Sequence, residues 1–240
     1  MIAPRWSVTN RSAEPTIIGI SSVPSLVSYH DRMSEDLDAN ISLSLMQLLP
    51  PHAFGAACRI ETRDGGLLTA AEAGLFHGAT TARRAASGAA RGLARSLLRR
   101  MGIPPTDILR SCGGAPIWPA GIVGSLAHDE EVAVAAVGPS RSFGGLGIDV
   151  EIASPLEDEV ANIVVNAYER RLLNNDPHQL KMAFCIKESV FKAVNPFDSI
   201  FLEFQDVTID PASGTATTSY GRVVNWRAEI QPVVMAVAWW

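Results

Sequence analysis

Cysteine is nearly absent. The three that occur, Cys58, Cys112 and Cys185, are scattered and form no C-x-x-C pair, which excludes a disulfide framework and a cysteine-rich zinc site and suits a reducing, cytoplasmic setting. A basic surplus is missing as well. With 20 basic and 25 acidic residues the formal charge is −5, so the chain lacks what a general nucleic-acid binder needs to displace counterions. No apolar run is fit to cross a membrane: residues 39–58 carry no Asp, Glu, Lys or Arg, but Pro50, Pro51, Asn40, Ser42, Ser44 and Gln47 interrupt them. That stretch predicts a buried helix ending in a turn. The N-terminus, with Arg5, Arg11 and Glu14 among Pro4 and Pro15, lacks the charged-then-apolar order of a secretory signal, so no export is expected.

What remains is an ordinary globular composition, 47% hydrophobic and 19% charged over 240 residues, enough for one large domain or two modest ones. The charge is unevenly spread. Between Arg83 and Arg110 stand seven arginines and one acid, Asp107, whereas residues 141–240 hold eight basic and thirteen acidic side chains. One segment suits an anion, the other a cation.

The pattern along the chain predicts a strand within Ile17–Val27 and a long helix over Thr81–Met101. Its apolar side is Ala82, Ala86, Ala89, Ala90, Leu93 and Leu97, opposite Arg84, Arg91 and Arg95. Gly102 and Pro104–Pro105 end it. A Gly- and Pro-rich loop with a short strand follows over Cys112–His128, then strands at Val132–Val137 and Leu146–Glu151, read as a hairpin. Helical patterns run through Leu156–Asn174 and Gln179–Val194, the second closed by Asn195–Pro196, and strands return at Val223–Ile230 and Val233–Trp240. The order favours an α+β architecture, with a faint internal duplication in the strands containing Gly19–Ile20 and Gly147–Ile148.

Four features carry chemistry. Asp149 and Glu151, two apart in a strand, share a face and repel each other unless a cation lies between them; oxygen ligands suit Mg²⁺ or Mn²⁺. A solvated strand edge would use the same pair. Glu188 and Lys192 are spaced i, i+4 and share a helix face, with Lys187 about 100° away; a routine surface ion pair has that spacing too. The turn Gly124–Ser125–Leu126–Ala127–His128 lets backbone N–H groups approach a phosphate, although a lone histidine also serves a backbone carbonyl. Arg84 and Arg91 offer planar forks that match phosphate, or simply a solvated helix surface.

In their order along the chain these features resemble the 4′-phosphopantetheinyl transferase superfamily, in its longer enterobactin-synthetase and surfactin type. The resemblance rests on the arginine helix with Arg84 and Arg91, WPAGIVGSLAH from Trp118 to His128, GIDVE from Gly147 to Glu151, and FCIKESVFK from Phe184 to Lys192. It covers about Thr81 to Pro196. Ala127 stands where the family has Ser or Thr, Glu131 where it often has a small residue, and Ala86–Ser87 where it often has Glu-Phe.

The resemblance implies two similar α+β halves, 1–140 and 141–240, meeting near Gly138–Gly145, with a ligand cleft between them and no partner needed to complete it, hence a monomer. It implies transfer of the phosphopantetheine arm of coenzyme A to a serine of an apo acyl or peptidyl carrier protein, releasing adenosine 3′,5′-bisphosphate. Asp149, Glu151 and Glu188 would hold Mg²⁺, Glu188 also being the candidate base. Lys187 and Lys192 would bind phosphate oxygens, Lys192 steadying charge in the transition state. Arg84, Arg91, Ser125 and His128 would hold the adenylate end. A Mg²⁺-dependent coenzyme A or nucleotide hydrolase and an inactive carrier-binding module remain as alternatives.

Overall fold

The computed structural model describes residues 39–240; the strand expected within Ile17–Val27 lies outside them. Helix α1, residues 39–48, buries Ile41, Leu45 and Leu48 on one side, as its spacing predicts. The chain turns at Pro50–Pro51 and then forms strand β1, Phe54–Arg59, which the helix-and-turn reading of this stretch did not include.

Strands β1, β2 (Ile122–His128) and β3 (Val132–Pro139) make an antiparallel sheet in the order β1-β3-β2. Helix α3, Thr81–Arg100, follows the short α2 (Ala70–Gly74) and covers one face. Ala94, Leu97 and Leu98 pack on Ala135 and Val137 there. Alternate β3 residues, Val132, Val134 and Ala136, point the other way, into a second sheet. Because both faces are covered, β3 reads as an unbroken apolar run rather than an alternation.

The second sheet is β4 (Leu146–Glu151), β8 (Val234–Trp239), β7 (Val223–Glu229), β6 (Thr215–Thr218) and β5 (Val207–Asp210), all antiparallel in that order. Ile148, Val150, Met235 and Val237 face the first sheet. Val234, Ala236 and Ala238 face helix α6, Pro177–Asp198, with Leu180, Ala183, Ile186 and Val190. The result is helix, sheet, sheet, helix: an α+β fold of two halves.

Several elements depart from expectation. The hairpin is β2–β3, closed by Asp129, whose carboxylate accepts from Glu131 N and Val132 N. Strand β4 pairs instead with the C-terminal strand, because Gly144 N donates to Trp240 O at 2.7 Å and starts the β4–β8 register. The single helix expected over Leu156–Asn174 is two, α4 (Asp158–Val164) and α5 (Ala167–Leu172), since Asn166 caps the second by accepting from Tyr168 N and Glu169 N. Helix α6 continues through Pro196 to a left-handed Ser199; the proline sits in the last turn, where one missing donor is tolerated. On α3, Ala82 is exposed and Arg91 is only 5% exposed, because residues 62–76 cover the side expected to face water. Among the described residues, no helix is long and apolar enough to cross a membrane.

Each half contains the same buried carboxylate bolt. Glu72, in a capping box with Thr69, accepts from Thr69 N, from Arg95 of α3 and from Ile108 N. Glu169, in a capping box with Asn166, accepts from Asn166 N, from Lys187 of α6 and from Ile209 N. Both glutamates are 0% exposed. A short capped helix, a cation on the long helix and a downstream isoleucine amide recur in the two halves; the strand with Gly19–Ile20, on which the sequence suggested a duplication, lies outside the described residues.

Candidate active site at the junction of the halves

The side chains of β4 alternate, so with Ile148 and Val150 turned to the first sheet, Asp149 and Glu151 are presented to α6. The approach is close at Gly147, where any Cβ would collide with the Ser189 carbonyl and the Ala193 amide of α6. Glycine at this point lets the helix lie directly on the strand. Lys181, Cys185, Glu188 and Lys192 recur at i, i+4, i+7 and i+11 and form one stripe over the two acids.

Lys192 Nζ donates to Asp149 Oδ1 at 2.6 Å, and Lys181 Nζ to Glu151 Oε2 at 2.6 Å. Helix and strand therefore run in opposite directions, with Glu188 between the two lysines. Burial pulls the Lys192 ammonium down, but the Asp149 charge and hydrogen bond outweigh it and hold it above the ordinary lysine value. Burial pushes Glu188 up, and of its charged neighbours Asp149 and Glu151 add to the push while Lys192 opposes it. The three acids are thus close enough to feel one another.

Asp149 is 5% exposed, and its Oδ2 is buried without a geometrically formed hydrogen bond, beside the Cys185 thiol, which donates to the Val234 carbonyl at 3.8 Å and whose pKa is pushed up by burial and by the Asp149 carboxylate. An orphaned carboxylate oxygen, in a set of oxygen-only donors, fits a hard divalent cation. Among the described residues no three His, Cys, Asp or Glu side chains are grouped closely enough to hold a metal. The ammonium groups of Lys192 and Lys181 each hold one oxygen, of Asp149 and of Glu151 respectively.

Beside this cluster opens a cleft of about 350 Å³, walled by α3, the edge strand β2, the loop before it and the last turns of α6. Arg91, Ser125, His128 and Lys192 all line it. Arg91 is tethered, its Nε donating to Ile108 O at 3.0 Å, with the guanidinium 5.0 Å above the Phe76 ring. His128 approaches the Asp129 carbonyl at 3.4 Å; burial lowers its pKa, and Arg83 and Lys192 lower it further against the Asp129 contact. A smaller cavity of about 130 Å³ lies on the other side of Phe191, with Glu188, Phe201, Leu202 and Phe204 in its wall.

Two expected residues stand elsewhere. Lys187 is fully buried: Nζ donates to Glu169 Oε2, Val164 O and Phe204 O at 2.8, 2.9 and 3.0 Å. An ammonium has three donors, and all are taken, so none is left for a phosphate. Burial lowers its pKa and the Glu169 contact offsets part of that. Arg84 donates to Phe76 O at 3.3 Å and is not among the residues lining the cleft. Arg110 is, with its guanidinium 5.8 Å from the Phe76 ring.

Sequence reasoning missed Arg110, Asn195 and Lys181. The first lies outside any helical pattern and the second was read as a stop. Lys181 had an available signal: only three of the chain's 20 Lys and Arg residues are lysines, 181, 187 and 192, and all lie on α6.

Residues 71–138 match the model of the 4′-phosphopantetheinyl transferase N-terminal domain, and residues 145–238 that of the 4′-phosphopantetheinyl transferase superfamily. The chain is 39% identical over 132 residues to 4′-phosphopantetheinyl transferase Svp of Streptomyces mobaraensis, covering 52% of this chain and 54% of that protein. It is 36% identical over 137 residues to the transferase Npt of Nocardia iowensis, 55% of this chain and 62% of that one. With PptT of Mycobacterium tuberculosis it shares 35% over 123 residues, 50% and 54%. The alignments span little more than half the length of these curated relatives. Two adjoining family models that meet at the crossing between the sheets, on a fold of two bolted halves, show that the chain belongs to the 4′-phosphopantetheinyl transferase superfamily.

Proposed function

We propose that this protein transfers the phosphopantetheine arm of coenzyme A to the serine hydroxyl of an apo acyl or peptidyl carrier protein and releases adenosine 3′,5′-bisphosphate. The observation that carries the reading is the junction of a cationic cleft with an acidic cluster: Arg91, Arg110 and His128 on one wall, Lys192 at the seam, and Asp149, Glu151 and Glu188 beyond it. A molecule with a bisphosphorylated adenosine at one end and a diphosphate in the middle suits that order of charge. We assign residues 1–140 and 141–240 to the two halves and take a single chain, working in a reducing cytoplasm, to form the whole cleft.

In this reading Arg91, Arg110, Ser125 and His128 hold the adenosine phosphates. Asp149, Glu151 and Glu188 would hold Mg²⁺, or Mn²⁺ in its place, and the ion would supply charge neutralisation on the diphosphate. Lys192 exchanges Asp149 for a phosphate oxygen and steadies the charge that develops there. Glu188 takes the proton of the serine hydroxyl, directly or through a water, as the serine oxygen bonds to the phosphorus bearing the pantetheine arm. The bond from that phosphorus to the bridging oxygen breaks, and the bisphosphate leaves with the electron pair.

The test is incubation of the protein with coenzyme A, Mg²⁺ and an apo carrier protein, followed by mass spectrometry of the carrier. The expected result is a gain of one phosphopantetheine group, with Glu188→Gln slowing transfer at least about a hundredfold. Cleavage of coenzyme A at the same rate without carrier would make the protein a hydrolase instead.

A further inference from the structure

Lysine is used sparingly and in one place. Wherever else this chain needs a cation it uses arginine; its three lysines all sit on α6, and each holds a carboxylate. Two of the three have a task already: Lys187 closes the buried bolt and Lys192 lines the cleft. Lys181 has neither. It does not line the cleft, and it lies two helical turns before Glu188, on the same stripe. Its ammonium is bound to Glu151 Oε2 at 2.6 Å and lies 5.3 Å from the Phe184 ring, with only 13% of the side chain exposed.

We propose that Lys181 is a resident counter-ion of the acidic cluster: it holds one oxygen of Glu151, competes with a divalent cation for that oxygen, and so sets how tightly the cluster takes the cation. The inference rests on the reading of Asp149, Glu151 and Glu188 as cation ligands. Lys192 has phosphate to move to when the cleft fills, whereas Lys181, outside the cleft, has no other anion to go to. With all five groups ionised, three carboxylates and two ammoniums leave a net charge of −1. Removing Lys181 takes the cluster to −2 and frees the Glu151 oxygen, which strengthens cation binding; retaining the charge as arginine keeps it weak.

Titration of Mn²⁺ against the full chain, read by the electron paramagnetic resonance of the free ion, tests this without any turnover. Lys181→Met is expected to bind Mn²⁺ about tenfold more tightly than the native protein, solvent screening most of the lost Coulombic repulsion, and Lys181→Arg to match the native protein. Adding Asp149→Asn to Lys181→Met should abolish the gain, which ties it to the cluster. Should the methionine variant melt below the assay temperature, Lys181→Gln carries the same expectation. Equal or weaker binding by the uncharged variants overturns the role of Lys181 while native binding that is lost in Asp149→Asn keeps the cation reading. Absence of binding in native and variant proteins alike overturns both.

Discussion

Replacing Lys187 by methionine separates a buried bolt from a phosphate ligand. The substitution keeps most of the volume and removes an ammonium that makes three hydrogen bonds, to Glu169, Val164 O and Phe204 O. Glu169 keeps its two backbone donors, Asn166 N and Ile209 N, but its charge is left buried and unpaired at 0% exposure. Breaking such a pair from one side costs about 3–5 kcal/mol. For a chain of this size that lowers the melting temperature by about 6 to 20 °C. Thermal melts followed by circular dichroism measure it. Combining Lys187→Met with Glu169→Leu should recover much of the loss, because the orphaned charge goes as well. A methionine variant that melts within 2 °C or so of the native protein, yet binds coenzyme A tenfold more weakly, would refute the bolt and return Lys187 to the phosphates.

Three further outcomes follow from the same geometry. Gly147→Ala forces α6 off β4, with an overpacking cost of about 1–3 kcal/mol, and should lower kcat/KM more than the melting temperature alone explains, because Lys192 and Glu188 retreat from Asp149; an unchanged kcat/KM would show that the helix need not touch the strand there. His128, made easier to deprotonate by its burial, should titrate below the usual histidine value near 6.5 in NMR spectra, and adenosine 3′,5′-bisphosphate should move the midpoint upward by favouring the imidazolium; a bisphosphate that leaves it unmoved does not contact the ring. Arg110→Ala should weaken bisphosphate binding about tenfold by calorimetry without loss of fold, since the side chain is exposed; equal affinity would remove Arg110 from the site.

The sequence revealed elements where a single period dominates and failed where a second layer intervenes. Strand β4 was legible to the residue because GIDVE lies between a glycine turn and a proline-bearing segment, and α3 and α6 because their apolar repeats are long. Arg91 was placed on the wet side of α3, since nothing local tells that residues 62–76 fold back over it. Strands β5 and β6 are only four residues each, VTID and TATT, too short for a period to stand out, and are held by pairing, β5 to β6 and β6 to β7. At the site, spacing gave the shared helix face of Glu188 and Lys192 and the shared strand face of Asp149 and Glu151. It did not give their partners: which lysine meets which acid depends on how the helix crosses the strand, and Lys187, a quarter-turn off the stripe, points into the core.

The dry interlayer between the two sheets limits how the cleft can work. Val134 and Ala136 on one side meet Ile148, Val150, Met235 and Val237 on the other, each essentially inaccessible to water. Spreading the halves like a clamshell would wet that whole interlayer, at a cost that grows with every methyl group exposed. A ligand of the proposed kind would therefore enter by the rim of the cleft rather than by a parting of the halves. Selectivity then falls to whatever stands on that rim, the 113–116 loop and the end of α6, rather than to any swing of one lobe against the other.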